Sequence, residues 1–116
     1  MWKVRKNKML NQVVIVGRLV ERPIVEENQS GRKVSEITLA IPRSYKNDEG
    51  LYDTDFIKCI LWNSIAEKTA EYCYKGDIVA VKGRLQCLNG NELQVVVAEK
   101  VTFLSSNKTN NDKEEE

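Results

Sequence analysis

Apolar and polar positions alternate along most of this chain, and only one stretch repeats with the period of a helix. Residues 13–19 form a near-continuous apolar run ending in Gly17-Arg18-Leu19. Such a run predicts a strand covered on much of both faces, and the glycine inside it a bend or bulge. Glu21-Arg22-Pro23 breaks the run, residues 24–27 form a short extended piece, and residues 28–32 form a turn. Residues 34–42 alternate cleanly, with Ile37, Leu39 and Ile41 inward and Thr38 and Ala40 outward, until Pro42 ends regular pairing. Residues 43–53 are polar, with Asp48-Glu49-Gly50 as a turn and Tyr45 and Tyr52 near the two ends.

Residues 54–62, Thr-Asp-Phe-Ile-Lys-Cys-Ile-Leu-Trp, form a strand with two unlike faces. Ile57, Cys59 and Leu61 make a plain core face, while Phe56, Lys58, Ile60 and Trp62 share the other. Two rings flanking a cation on one sheet face suit a single-stranded nucleic acid, whose bases stack on rings while its backbone lies near the charge. The plain alternative is that both rings pack under a helix or a second subunit. Ser64-Ile65-Ala66-Glu67 has the spacing of a capping box that opens a helix. Ile65, Ala66, Thr69, Ala70 and Cys73 form its apolar stripe, and Lys75-Gly76 stops it. Residues 77–85 and 93–103 are two further strands joined across Asn89-Gly90, a strong hairpin signal.

The order is thus three strands, one short helix and two strands. That is the arrangement of the all-β, five-stranded OB-fold barrel, read here as an antiparallel set. At 116 residues the chain holds one such domain. Residues 9–104 make up the domain, residues 1–8 a disordered basic extension, and residues 105–116 a disordered polar and acidic tail.

Composition narrows the chemistry. No histidine is present, which removes the usual general base and the usual metal ligand. No phosphate-binding glycine loop or nucleophile elbow occurs, so an enzyme, a metal site and a cofactor are not expected. Cys59, Cys73 and Cys87 are odd in number and widely spaced, and read as small buried hydrophobes in a reducing cytoplasm. No apolar run is long enough to cross a membrane. The net charge of +1 hides a gradient. Residues 1–8 carry four bases and no acid, residues 9–104 carry 12 bases against 13 acids, and residues 105–116 two bases against four acids. Any nucleic acid must therefore meet positive charge gathered on one face, with rings supplying much of the affinity.

Asn-Gln-Val-Val-Ile-Val-Gly-Arg-Leu at 11–19, Pro23, Ile-Thr-Leu-Ala at 37–40, Phe-Ile-Lys-Cys-Ile-Leu-Trp at 56–62, Ala66-Glu67, Lys75-Gly76 and Val-Lys-Gly-Arg-Leu at 81–85 occur in this order. Together they closely resemble the bacterial single-stranded DNA-binding protein family over residues 9–104. The resemblance implies an OB-fold homotetramer that coats single-stranded DNA without much sequence preference and without a cofactor. It further implies a cytoplasmic, nucleoid-associated role in DNA replication, recombination or repair. It places base-stacking rings at Tyr45, Phe56 and Trp62, with Arg43, Lys46, Lys58, Lys75, Lys82 and Arg84 as the basic residues around them. Lys75 could equally complement the helix C-terminus, and Lys82 and Arg84 could be plain surface charge.

Three departures from the family pattern stand out. The last hairpin, residues 86–91, is very short and lacks the stacking ring that many members carry there. The tail ends Asp112-Lys113-Glu114-Glu115-Glu116, without the apolar tip that recruits replication and repair partners. Eight residues precede Met9, near which members often begin. The short hairpin and the tail favour one alternative, a dimeric OB-fold accessory of replication restart. A structured-RNA or tRNA-binding OB domain is a further alternative, against which the Phe-Ile-Lys-Cys-Ile-Leu-Trp strand speaks.

Overall fold

The computed structural model describes residues 9–105 apart from Glu92. The expected basic arm at 1–8 lies outside the described residues, as does the expected tail beyond Ser105. The elements are β1 (Val13–Leu19), β2 (Glu26–Glu27), β3 (Lys33–Lys46), β4 (Tyr52–Trp62), α1 (Asn63–Tyr72), β5 (Ile78–Leu88) and β6 (Leu93–Ser105). Five long strands and the two-residue β2 form one sheet in the order β1-β5-β6-β4-β3-β2. The sheet closes on itself because β1 also pairs with β3, Arg18 opposite Ala40 and Leu19 opposite Leu39. This is the expected OB-fold barrel, with its helix between the third and fourth long strands. One expectation fails: β4 and β6 run parallel, Cys59 beside Val96 and Ile60 beside Val97. Helix α1 carries the chain from β4 to β5, and the β5–β6 hairpin then brings β6 back in the direction of β4.

Closure depends on two glycines. Gly17 pairs with Val79 of β5 one residue before β1 also pairs with β3, and a Cβ there would stand 2.7 Å from Ile41 Cγ1 and 3.0 Å from the Ala40 carbonyl oxygen. At Gly83, beside a register shift in the β5–β6 ladder, a Cβ would stand 2.0 Å from the Val97 carbonyl oxygen. The inward residues Leu19, Ile37, Leu39, Cys59, Leu61, Val79, Val81 and Val96 fill the barrel, and Ala66 and Cys73 bring the helix onto it. Asn11 extends the β1–β5 ladder: its side chain donates to the Leu85 carbonyl and accepts from the Leu85 N–H, both at 2.8 Å.

The helix ends differ from expectation. No side-chain cap closes its N-terminus, where extended Trp62 holds the cap position and Asn63 turns the chain at φ 52°. Strand and helix join with no loop, so Ser64 already lies inside the helix and Glu67 pairs instead with Lys33 at 3.0 Å. The helix stops at Tyr72, before Lys75-Gly76, and Cys73 donates its N–H to Thr69 at 3.0 Å. The buried Asp77 carboxylate accepts the Tyr74 N–H at 2.8 Å, which organises the following turn. Gly76 donates to the Leu19 carbonyl and accepts from Arg18, fixing that turn to the end of β1.

Cys59 and Cys73 are buried, and burial pushes the Cys59 thiol up to about 12. Cys87 is exposed, contrary to expectation, because the β5–β6 hairpin runs past the end of the core. The β3–β4 hairpin is also longer than the sequence predicts, for pairing resumes at Lys46 and Tyr52 beyond an irregularity after Pro42.

Gly83→Ala should lower stability by about 1–3 kcal/mol, since the clash is with backbone and cannot be relieved by a rotamer. Urea unfolding checks this, and an unchanged midpoint would mean that β6 has room to move.

Candidate nucleic-acid interface

Strand β4 shows the two faces its sequence predicts. Cys59 and Leu61 are fully buried, whereas Phe56 is 63% exposed and Lys58, Ile60 and Trp62 are half-buried. Antiparallel register with β3 sets Ala40 opposite Phe56, Thr38 opposite Lys58, Glu36 opposite Ile60 and Val34 opposite Trp62. The small Ala40 leaves the Phe56 ring uncovered. The two rings stand six residues apart, a track roughly 20 Å long at strand rise.

Beside this track runs an open groove of about 560 Å³. Phe56, Thr38, Glu36 and Val34 form its floor, and the segment from Val20 to Glu26 forms its wall. That wall is held by the Val20 N–H bonding to the Thr38 carbonyl at 3.1 Å and by β2 pairing with β3. Arg22 of the wall stacks over Tyr74 at 4.9 Å.

The candidate residues divide between surfaces. Lys46, opposite Tyr52, continues the Phe56 face, with its ammonium 5.8 Å from the Tyr52 ring centroid. Arg43 and Tyr45 lie on the other face of the hairpin. Arg43 there forms a forked pair with Asp55, 3.0 Å at the closest, and reaches Asp53 at 3.8 Å. Asp55 is inward by register, opposite Ile41. Tyr45 is 65% exposed. The Arg43 hydrogen bonds hold the Asp55 carboxyl below the usual carboxylate range. Lys75 sits in the turn after Cys73 and not in the last turn of the helix, so it does not serve as a helix C-terminal charge. Lys82 and Arg84 are on the outer side of β5, Lys82 opposite Val14 and Arg84 opposite Val97. Since Val97 stands beside Ile60, Arg84 lies two strands from the ring track, about 10 Å away.

Four residues around the track were not assigned to it from the sequence. Arg32 stacks over the Trp62 ring at 4.4 Å, from a turn that no periodicity marks. Glu36 pairs with Lys58 at 3.1 Å, a contact that needs the register between two strands. Tyr52 and Arg22 likewise depend on pairing between distant residues.

The model of the single-strand binding protein family matches this chain over residues 10–108. The chain belongs to this family. A relative named single-stranded DNA-binding protein B, from Bacillus subtilis, is 46% identical over 78 residues, covering 67% of this chain and 69% of the relative. Single-stranded DNA-binding protein 3 of Listeria innocua is 40% identical over 105 residues, covering 84% of this chain and 66% of the relative. The chain thus spans about two thirds of the length of these curated relatives. In three dimensions it is similar to the crystal structure of an SSB domain from a Synechococcus protein, with TM-score 0.67 at 18% identity, covering 83% of this chain and 98% of that one. At that identity the likeness concerns the fold, and it agrees with the OB-fold barrel. Among the described residues no helix is long and apolar enough to cross a membrane.

The Arg43–Asp55 fork gives a pH test with a definite sign. A carboxyl held below its ordinary value of 3.8 adds stability above that pH, and the contribution is lost as the pH falls through the lowered value. A carbon-detected NMR titration should find Asp55 below 3.8, and Arg43→Gln should return it to the ordinary range. An Asp55 that titrates normally in the intact protein would show that the fork does not hold in solution.

Proposed function

We propose that this protein binds single-stranded DNA with little sequence preference, as a binding protein and not an enzyme. The observation that carries this reading is the open β4 face, where Phe56 and Trp62 flank Lys58 in a member of the single-strand binding protein family. Bases stack on the two rings, and Tyr45 adds a third ring on the far side of the β3–β4 hairpin. Phosphates pass near Lys46, Lys58 and Arg43, with Lys75, Lys82 and Arg84 extending the path around the barrel. The names of the relatives agree with this ligand. The setting is cytoplasmic and nucleoid-associated, in DNA replication, recombination or repair.

The assembly is a homotetramer. Val14 and Val16 support this, being 63% and 48% exposed on the outer face of β1. Pairing with β3 involves only Arg18 and Leu19, so residues 13–17 have, among the described residues, β5 on one side and an open edge on the other. An open edge beside exposed valines favours a strand from a second copy. The alternative, a dimeric replication-restart accessory, is favoured by the short turn of the β5–β6 hairpin at Asn89-Gly90, where both residues have positive φ.

Stacking is worth roughly 1–3 kcal/mol per base, so Trp62→Ala should weaken oligo-dT binding about 5- to 150-fold. Phe56→Ala and Tyr45→Ala should act in the same direction and less strongly. Intrinsic fluorescence titration reads the affinity and circular dichroism confirms folding. A folded Trp62→Ala protein with unchanged affinity would remove Trp62 from the interface.

Light scattering at micromolar concentration should give a tetramer. A dimer would favour the restart accessory, and a monomer would refute the assembly.

A further inference from the structure

We propose that Glu36 sets the preference of this protein for single strands over duplex DNA, by holding Lys58 away from ligands that offer phosphate alone. The proposal rests on the reading of the Phe56–Trp62 track as the base-stacking face. On that face the central cation already has an anion: Lys58 Nζ lies 3.1 Å from Glu36 Oε1, on the adjoining strand of the same sheet face. The groove beside Phe56 is lined by the carboxylates of Glu21, Glu26 and Glu36 against the single guanidinium of Arg22. A phosphate that approaches Lys58 therefore meets one carboxylate in contact with its target and two more along the groove.

The two kinds of ligand respond differently to this arrangement. A duplex keeps its bases stacked inside and binds a protein surface mainly through its phosphates, by releasing counterions. While Lys58 stays paired with Glu36, a nearby phosphate is not neutralised and keeps its condensed counterion, and a phosphate that does displace the carboxylate is then repelled by the freed charge. A single strand has a second route. Its bases gain stacking on Phe56 and Trp62 while Lys58 stays paired with Glu36. Its phosphates can instead use Lys46, Lys75, Lys82 and Arg84, none of which is in ion-pair range of a carboxylate among the described residues. The carboxylate thus penalises a ligand without free bases more than one that has them. The Lys58 and Glu36 side chains are 40% and 58% exposed, so the bridge exchanges with solvent and its removal leaves the fold intact.

The test compares Glu36→Gln with Glu71→Gln, which removes the same charge from the exposed face of α1. Oligo-dT and a blunt duplex of equal length are titrated across a salt series. For Glu36→Gln, duplex affinity at low salt should rise about three- to fivefold, the scale of one exposed ion pair, and oligo-dT affinity less than twofold. The duplex salt slope should steepen by about 0.9, one newly available phosphate contact. In a Lys58→Gln background the Glu36→Gln effect should disappear. The proposal is overturned if Glu36→Gln acts no more strongly than Glu71→Gln, tightens both ligands alike, or persists without Lys58. If Phe56→Ala and Trp62→Ala both leave oligo-dT affinity unchanged, the stacking face itself is wrong and the proposal falls with it. That failure is read from variants with every charge intact, so the two failures are distinguishable.

Discussion

Closure of the sheet at Arg18–Ala40 and Leu19–Leu39 is the constraint on which the rest of this molecule depends. Five strands cannot bury one face by curling unless two backbones at the seam come very close. Gly17 provides that approach, because any side chain there would enter the space of Ile41 and the Ala40 carbonyl. The seam also recruits its neighbours. Leu19 accepts from Gly76 and donates to Asp77, so the turn after the helix is tied to the strand end where the barrel closes. Asp77 contributes its buried carboxylate to the same turn through the Tyr74 N–H. A small set of backbone contacts thereby fixes the helix exit, the start of β5 and the wall of the groove.

Closure divides every strand into an inner and an outer face. The inner face can be filled by aliphatic side chains of modest size, and Leu39, Cys59, Leu61, Val79 and Val81 are fully buried there. The outer face has only what lies on it. Val95 and Val97 are covered, yet Phe56 on the neighbouring strand remains open, with Ala40 opposite and a groove alongside. A large ring left open on a rigid strand gains by taking another ring. The barrel also sets the rings at a fixed spacing, so a nucleic acid stacked on them as proposed would do the adjusting.

Much of this was legible in the sequence because the signals were local. Alternation of period two around Ile37, Leu39 and Leu61 fixed which side of each strand faced inward, and the ring–cation–ring order of Phe56, Lys58 and Trp62 followed from it. The Asn89-Gly90 turn and the bend at Gly17 are likewise properties of a few adjacent residues. Contacts made by tertiary pairing were not legible. Ser64 and Glu67 have capping-box spacing, yet β4 enters the helix directly through Trp62 and Asn63, and Lys33 takes Glu67. Cys87 looks like its two buried counterparts until the hairpin is seen to outrun the core. Arg32 over Trp62 and Glu36 against Lys58 depend on the β3–β4 register, which alternation constrains to a face but does not set residue by residue.

The near balance of charge in the chain takes on a physical meaning from these pairings. A net of +1 over 116 residues offers little long-range attraction to a polyanion. Of the cations on the ring track, Lys58 is bridged to Glu36 and Arg32 lies on Trp62, while Arg43 on the other face of the hairpin is forked to Asp55. Lys58 and Trp62 on the track thus already hold internal stand-ins, a carboxylate in place of a phosphate and a guanidinium in place of a base. A phosphate gains little by displacing Glu36 from Lys58, and on the proposed reading the gain that remains is the stacking of free bases on the rings. If Phe56 and Trp62 take the bases as proposed, such a surface discriminates by what a ligand can stack rather than by how much charge it carries.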